Sequence, residues 1–76
     1  PIVLHLEFQS TNDPKMHVRM LSYYTRLLEE FAIENYKIAQ FLIYFGKDSL
    51  GMENSLISDA EGTRINYGFT IIDTNS

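Results

Sequence analysis

The sequence predicts an α/β domain in which strand, helix and strand form a parallel βαβ unit, followed by a β-hairpin or a single further strand. Three observations carry this. Apolar and polar residues alternate over residues 2–9. Apolar residues recur at spacings of three and four over residues 16–31, and residues 38–45 form a nearly continuous apolar run rich in β-branched and aromatic side chains. With 76 residues, 45% of them hydrophobic, the chain has a globular composition and room for one domain with a small core.

In Ile2 to Gln9, alternate side chains face opposite sides of a strand. Ile2, Leu4, Leu6 and Phe8 form an apolar face that is expected to be core. Val3, His5, Glu7 and Gln9 form a second face that turns polar toward the strand's end. Ser10-Thr-Asn-Asp-Pro14 is a cluster of turn formers, with Asp13 placed to cap a helix and Pro14 suited to its first turn. From Met16, the residues Met20, Leu21, Tyr24, Leu27, Leu28 and Phe31 trace an apolar stripe, opposed by Lys15, Arg19, Ser22, Arg26 and Glu29. The helix is expected over about Pro14 to Ile33. It should fray near Ile33 to Asn35, where Glu29, Glu30 and Glu34 oppose the macrodipole.

Ile38 to Phe45, closed by Gly46, suits a strand covered on both faces. Strand, helix and strand within about 45 residues make a βαβ unit whose strands are parallel, with a right-handed crossover. Lys47 to Asn54 reads as a loop. Ser55 to Ser58 and Ile65 to Ile72 then pair through Asp59-Ala-Glu-Gly62, with Ile65, Tyr67, Phe69 and Ile71 on the buried face.

Six Lys and Arg against ten Asp and Glu give a net charge of −4, which opposes binding of nucleic acid by charge alone. The absence of Cys excludes a disulfide framework and a thiolate-zinc site. With no signal-peptide pattern and no apolar run near the ~20 residues that span a bilayer, the chain reads as soluble and cytoplasmic, with no membrane partner. The first residue already belongs to a strand pattern, so the sequence reads as an internal piece of a longer chain.

Glu7 and Gln9 share one strand face near a carboxyl end, where ligands bind in parallel sheets. A carboxylate there can hold a divalent cation and an amide can orient water or phosphate, although Mg²⁺ takes one or two carboxylates and Glu7 supplies only one. Asp13 is the nearest second carboxylate in sequence, in competition with its capping role. The plainer reading of Glu7 is a solvated residue at a strand end. His5 and His17 can be drawn as a metal pair, or His5 as a hydrogen-bonded residue at the core margin and His17 as a packing residue in the helix's first turns with one wet nitrogen. Arg19 suits bidentate phosphate contacts, yet its stripe also makes ordinary helix-surface ion pairs. Tyr23 and Tyr24 read as boundary packing with hydroxyls seeking partners. No Ser-His-Asp, Cys-His, Gly-rich phosphate-loop or zinc-spacing pattern is present.

The stretch "HLEFQSTNDPKMHVRMLSYYTRLLEE", followed at the right distance by "QFLIYFG", resembles the bacterial recombination-promoting nuclease (Rpn) family, whose members are also labelled transposases, in the PD-(D/E)XK nuclease superfamily. The likeness covers about residues 2 to 46. It implies a partial PD-(D/E)XK-type core over residues 1–76, from a Mg²⁺- or Mn²⁺-dependent DNA endonuclease of recombination or transposition. In that setting Glu7 is the acidic metal ligand, the backbone carbonyl of Phe8 a further metal contact, and Gln9 a catalytic-site residue standing where many members have Lys. Arg19 supports the phosphate or the site's structure, and Tyr23 matches another polar position of the family's helix. The resemblance puts the second metal-binding Asp on a preceding strand and further structure after the present end. DNA is then engaged through the full-length parent, and the 76-residue piece by itself is expected to be inactive. The alternative is a non-catalytic self-association or regulatory module, or an inactive transposon remnant. Homo-oligomers are expected, covering an apolar patch from Phe41, Ile43, Tyr67 or Phe69.

Overall fold

The computed structural model describes residues 1–31 and 35–75. The elements are β1 (Ile2–Gln9), α1 (Met16–Glu30), β2 (Lys37–Tyr44), β3 (Ser55–Ala60), β4 (Thr63–Gly68) and β5 (Thr70–Asp73). The expected βαβ unit is present: β1 and β2 run parallel, from Ile2 beside Lys37 to Gln9 beside Tyr44. The parallel sheet has the order β1-β2-β5, and β3 and β4 form a separate two-stranded sheet.

Asp13 holds the turn that precedes the helix rather than capping it: the N-cap position falls on Lys15, which has no side-chain cap bond. Asp13 Oδ1 accepts from the Lys15 N–H at 2.9 Å, and the Asp13 carbonyl accepts from the Met16 N–H at 3.1 Å. The Pro14-Lys15 step is a turn, and regular α-helix starts at Met16, two residues later than expected. Phe31 is already extended, with φ −110° and ψ 138°, while its N–H still bonds the Leu27 carbonyl. The expected helix end at Ile33 lies outside the described residues.

The apolar face of β1 is where the structure departs most from the pattern. Ile2, Leu4, Leu6 and Phe8 are 70%, 58%, 47% and 59% exposed, while Val3, His5, Glu7 and Gln9 are half-buried. The helix lies on the second face, against Gln40, Leu42 and Tyr44 of β2, and Met16 and Met20 are fully buried there. Alternation marks which residues share a face. It cannot say on which face the crossover helix will lie. The shortest dimension of the backbone is 16 Å, the thickness of one helix layer on one sheet. Leu27 and Leu28, on the helix's last turns, are half-buried and lie outside the buried core cluster.

The expected hairpin forms with a shorter turn: Asp59 and Ala60 belong to β3, and the pairing runs from Ser55–Gly68 to Ala60–Thr63. Its turn is made by Glu61 and Gly62, both at positive φ (49° and 86°), which matches the right-handed strand twist of a two-residue hairpin. Ile65 to Ile72 is not one strand, however. It breaks at Phe69, whose N–H bonds the Asn54 carbonyl, and β5 then joins β2 in parallel, Phe41 beside Thr70. Tyr67 and Phe69 are buried, Ile71 is half-buried and Ile65 is 37% exposed. Burial of Tyr67 and Phe69 removes them from the expected association patch, leaving Phe41 and Ile43 of β2.

Backbone directions in β1 follow from its ladder. The carbonyls of Pro1 and Gln9 accept from Lys37 and Phe45, both at 3.0 Å. Odd-numbered residues of β1 therefore turn their backbone groups toward β2, and Ile2, Leu4, Leu6 and Phe8 turn theirs to the open edge of the sheet. Among the described residues no helix is long and apolar enough to cross a membrane.

Candidate functional site

β1 delivers His5, Glu7 and Gln9 to the helix-covered face, toward the carboxyl end of the parallel strands. His5 Nε2 lies 3.1 Å from Glu7 Oε2. The other ring nitrogen, Nδ1, lies 3.0 Å from Gln40 Nε2, and the same amide nitrogen donates to the Met20 carbonyl at 2.9 Å. Gln40 Oε1 accepts from the Tyr67 hydroxyl at 2.5 Å. A continuous hydrogen-bonded chain thus runs Glu7, His5, Gln40, Tyr67 through the layer between sheet, helix and hairpin. No buried side-chain nitrogen or oxygen among the described residues lacks a partner.

The Phe8 carbonyl faces the open edge of β1, beside the helix-covered face that carries Glu7. Gln9 makes only a long contact to the Thr11 hydroxyl, 3.4 Å. Asp13 is fully engaged: Oδ2 accepts from Arg19 Nη1 at 2.8 Å while Oδ1 holds the Lys15 N–H. The Lys15 N–H first, and the Arg19 guanidinium second, hold the Asp13 carboxyl below its ordinary range. Arg19 also donates to the Tyr23 hydroxyl at 3.3 Å, so it braces the helix start, and its bond to Asp13 raises its own pKa.

Tyr23 is the hub of this side of the helix. The His5 ring meets it edge-on with centroids 5.2 Å apart, and the Arg26 guanidinium sits 5.0 Å from its centroid. His5, Tyr23, Arg26, Leu27 and Glu30 line a recess of about 260 Å³. The structure therefore brings His5, Glu7 and Tyr23 together, and ties Asp13 and Arg19 to each other. It gives His5 no free ring nitrogen with which to join His17, which is half-buried. Among the described residues no group of three or more His, Cys, Asp or Glu side chains could hold a metal ion.

Gln40 and Tyr67 were not among the sequence-predicted site residues. The signal was present: Gln40 is the lone amide inside the apolar run from Ile38 to Phe45, and a buried amide requires partners. Tyr67, expected on the buried face of the hairpin, is 8% exposed, and its hydroxyl adds a polar role to that packing.

The architecture defines an α/β protein with a one-sided parallel sheet. No family model, curated protein or solved structure matches the chain.

Burial pushes the Tyr67 hydroxyl up to about 12 from its ordinary 10.0, with Tyr24 adding to the rise. The unfolded chain ionises first, so the stability contributed by the neutral hydroxyl is complete below pH 10 and is lost as pH climbs through about 12. Urea midpoints measured across that window should fall more steeply for the native chain than for Tyr67→Phe. Equal slopes would show that Tyr67 is hydrated.

Proposed function

We propose that the carboxyl end of β1 contributes to a metal-dependent phosphodiester hydrolase of the PD-(D/E)XK type, acting on DNA as part of a longer protein. The observation that carries this reading is the placement of the Glu7 carboxylate and the outward Phe8 carbonyl at the carboxyl end of one parallel edge strand. Both are hard oxygen donors, suited to Mg²⁺ or Mn²⁺. They furnish part of a coordination shell, and the proposal assigns a further acidic ligand to a residue outside those described. When bound, such a cation polarises the scissile phosphate and makes a water molecule acidic enough to attack. This chain's residues do the rest. Gln9 orients by hydrogen bonding without adding charge. Arg19, held by Asp13 and Tyr23, stiffens the helix start beside the site, and Arg26 over Tyr23 supplies a cation on the same helix.

Nicking of supercoiled DNA by the full parent protein, with and without EDTA, tests it. Glu7→Ala should lower Mg²⁺-dependent nicking by more than about 100-fold, since loss of a ligand should exceed the 10–100-fold typical of a residue that only supports one. Gln9→Ala should be milder. Nicking unchanged in Glu7→Ala would return Glu7 to the status of a solvated strand-end residue.

A second reading, a self-association module, is favoured by the bare face of the parallel sheet. Parallel sheets are covered on both faces almost without exception. Here Leu4, Leu6 and Phe8 of β1 and Phe41 and Ile43 of β2 share an uncovered face, with no charged side chain between them. Two copies can therefore meet there without burying a charge, and a second copy of the chain is the proposed occupant. Sedimentation equilibrium should show a dimer or larger assembly that Leu6→Lys dissociates. A stable monomer at high concentration would rule it out.

A further inference from the structure

The amide orientation of Gln40 is dictated by its surroundings. The Met20 carbonyl can only accept, so the atom 2.9 Å from it is the amide nitrogen, and the Tyr67 hydroxyl then donates to Oε1. That same NH₂ group lies 3.0 Å from His5 Nδ1. An amide nitrogen donates and does not accept, so Nδ1 is the acceptor and carries no proton. The ring proton of the neutral imidazole is on Nε2, which points at Glu7 Oε2 from 3.1 Å.

We propose that Gln40, oriented by Tyr67, is a positioning residue for Glu7: it fixes His5 as the Nε2–H tautomer, which clamps one carboxylate oxygen and leaves the other for a cation. The last clause rests on the hydrolase reading above; the clamp itself does not. The arrangement also sets the ligand class. Both imidazole nitrogens are engaged, one as acceptor and one as donor, so His5 offers no nitrogen to a cation, and the oxygens of Glu7 and Phe8 suit a hard divalent one. Tyr67 sits in the hairpin and Gln40 in the central strand. The register of the second sheet against the first therefore enters the geometry of Glu7 without touching it.

Nuclear magnetic resonance of ¹⁵N-labelled protein at one fixed pH tests the clamp. The His5 ring should give the Nε2–H pattern, with a scalar coupling across the hydrogen bond from the Gln40 side-chain amide to Nδ1. Observation of the Nδ1–H tautomer, or of no coupling while the Gln40 amide protons are sharp, would overturn it. Titration with Mn²⁺ alone then reads the site. Broadening should centre on residues 7 and 8, and the Mn²⁺ concentration for half-broadening should rise about tenfold or more in Gln40→Met, the range typical of lost support behind a metal ligand. Should Gln40→Met lose its folded amide spectrum, Tyr67→Phe keeps the core shape, removes only the hydroxyl, and should raise it in the same direction. Broadening centred on Glu7 but unmoved by either variant would overturn the positioning role. Broadening elsewhere, with the tautomer and coupling as expected, would overturn the hydrolase reading and leave the clamp intact.

Discussion

A single side chain, Gln40, holds the molecule's layers in register. It is the one buried polar residue among those described, 7% exposed, and its amide meets α1 through the Met20 carbonyl, β1 through His5 and β4 through Tyr67. An amide buried without partners costs roughly 1–3 kcal/mol, so sheet, helix and hairpin must arrive together for Gln40 to be satisfied. In a domain this small, with a core of seven buried hydrophobic residues among those described, that constraint selects one arrangement over looser packings of the same apolar side chains. The Tyr67 ring also makes tilted contacts with Tyr24 at 5.8 Å and with Phe69 at 5.9 Å, which join the hairpin to the helix and to the residue before β5.

The same constraint explains why the polar face of β1 lies inward. Helix burial on that face follows from Met16, Met20, Leu42 and Tyr44, while His5 enters as a hydrogen-bonded member of the chain from Gln40 and the edge of its ring rests on Tyr23. The more apolar face is left bare, and with it the backbone groups of Ile2, Leu4, Leu6 and Phe8, which lack a strand partner among the described residues, on an eight-residue edge strand. A strand of that length with neither proline nor lysine within it is a template for pairing. Glu7 reaches the inner face at its wet end, so one strand carries both a polar candidate site and a bare apolar face, separated by its pleat.

Much of this was legible in the sequence because it rests on local physics. Period-two alternation marked β1, the three-and-four spacing from Met16 marked α1, and the Asp13-Pro14 pair marked the turn that feeds it. The parallel β1–β2 pairing followed from the length of the crossover. The face of β1 that meets the helix was misread, because greater apolarity pointed to the side that is bare. The break at Phe69 was missed because Tyr67, Phe69 and Ile71 keep perfect alternation through it; only the Asn54 carbonyl, distant in sequence, ends β4 there. The chain from Tyr67 to Glu7 spans 60 positions between its ends, and no local pattern encodes it. The isolated amide of Gln40 was its one visible trace. For the candidate site, Glu7 and Gln9 share a face through simple strand geometry, while Phe8 enters only through the family resemblance and the engagement of Asp13 with Arg19 depends on the helix turning one side chain back over the preceding loop.

The central claim is that Tyr67 and His5, which make no hydrogen bond to each other, are energetically linked through Gln40. A double-mutant cycle of Tyr67→Phe and His5→Phe, read by urea denaturation, measures that linkage most directly. The account predicts a coupling of about 0.5–3 kcal/mol, as for residues sharing one hydrogen-bond network. Additivity of the two substitutions within ~0.3 kcal/mol would contradict it.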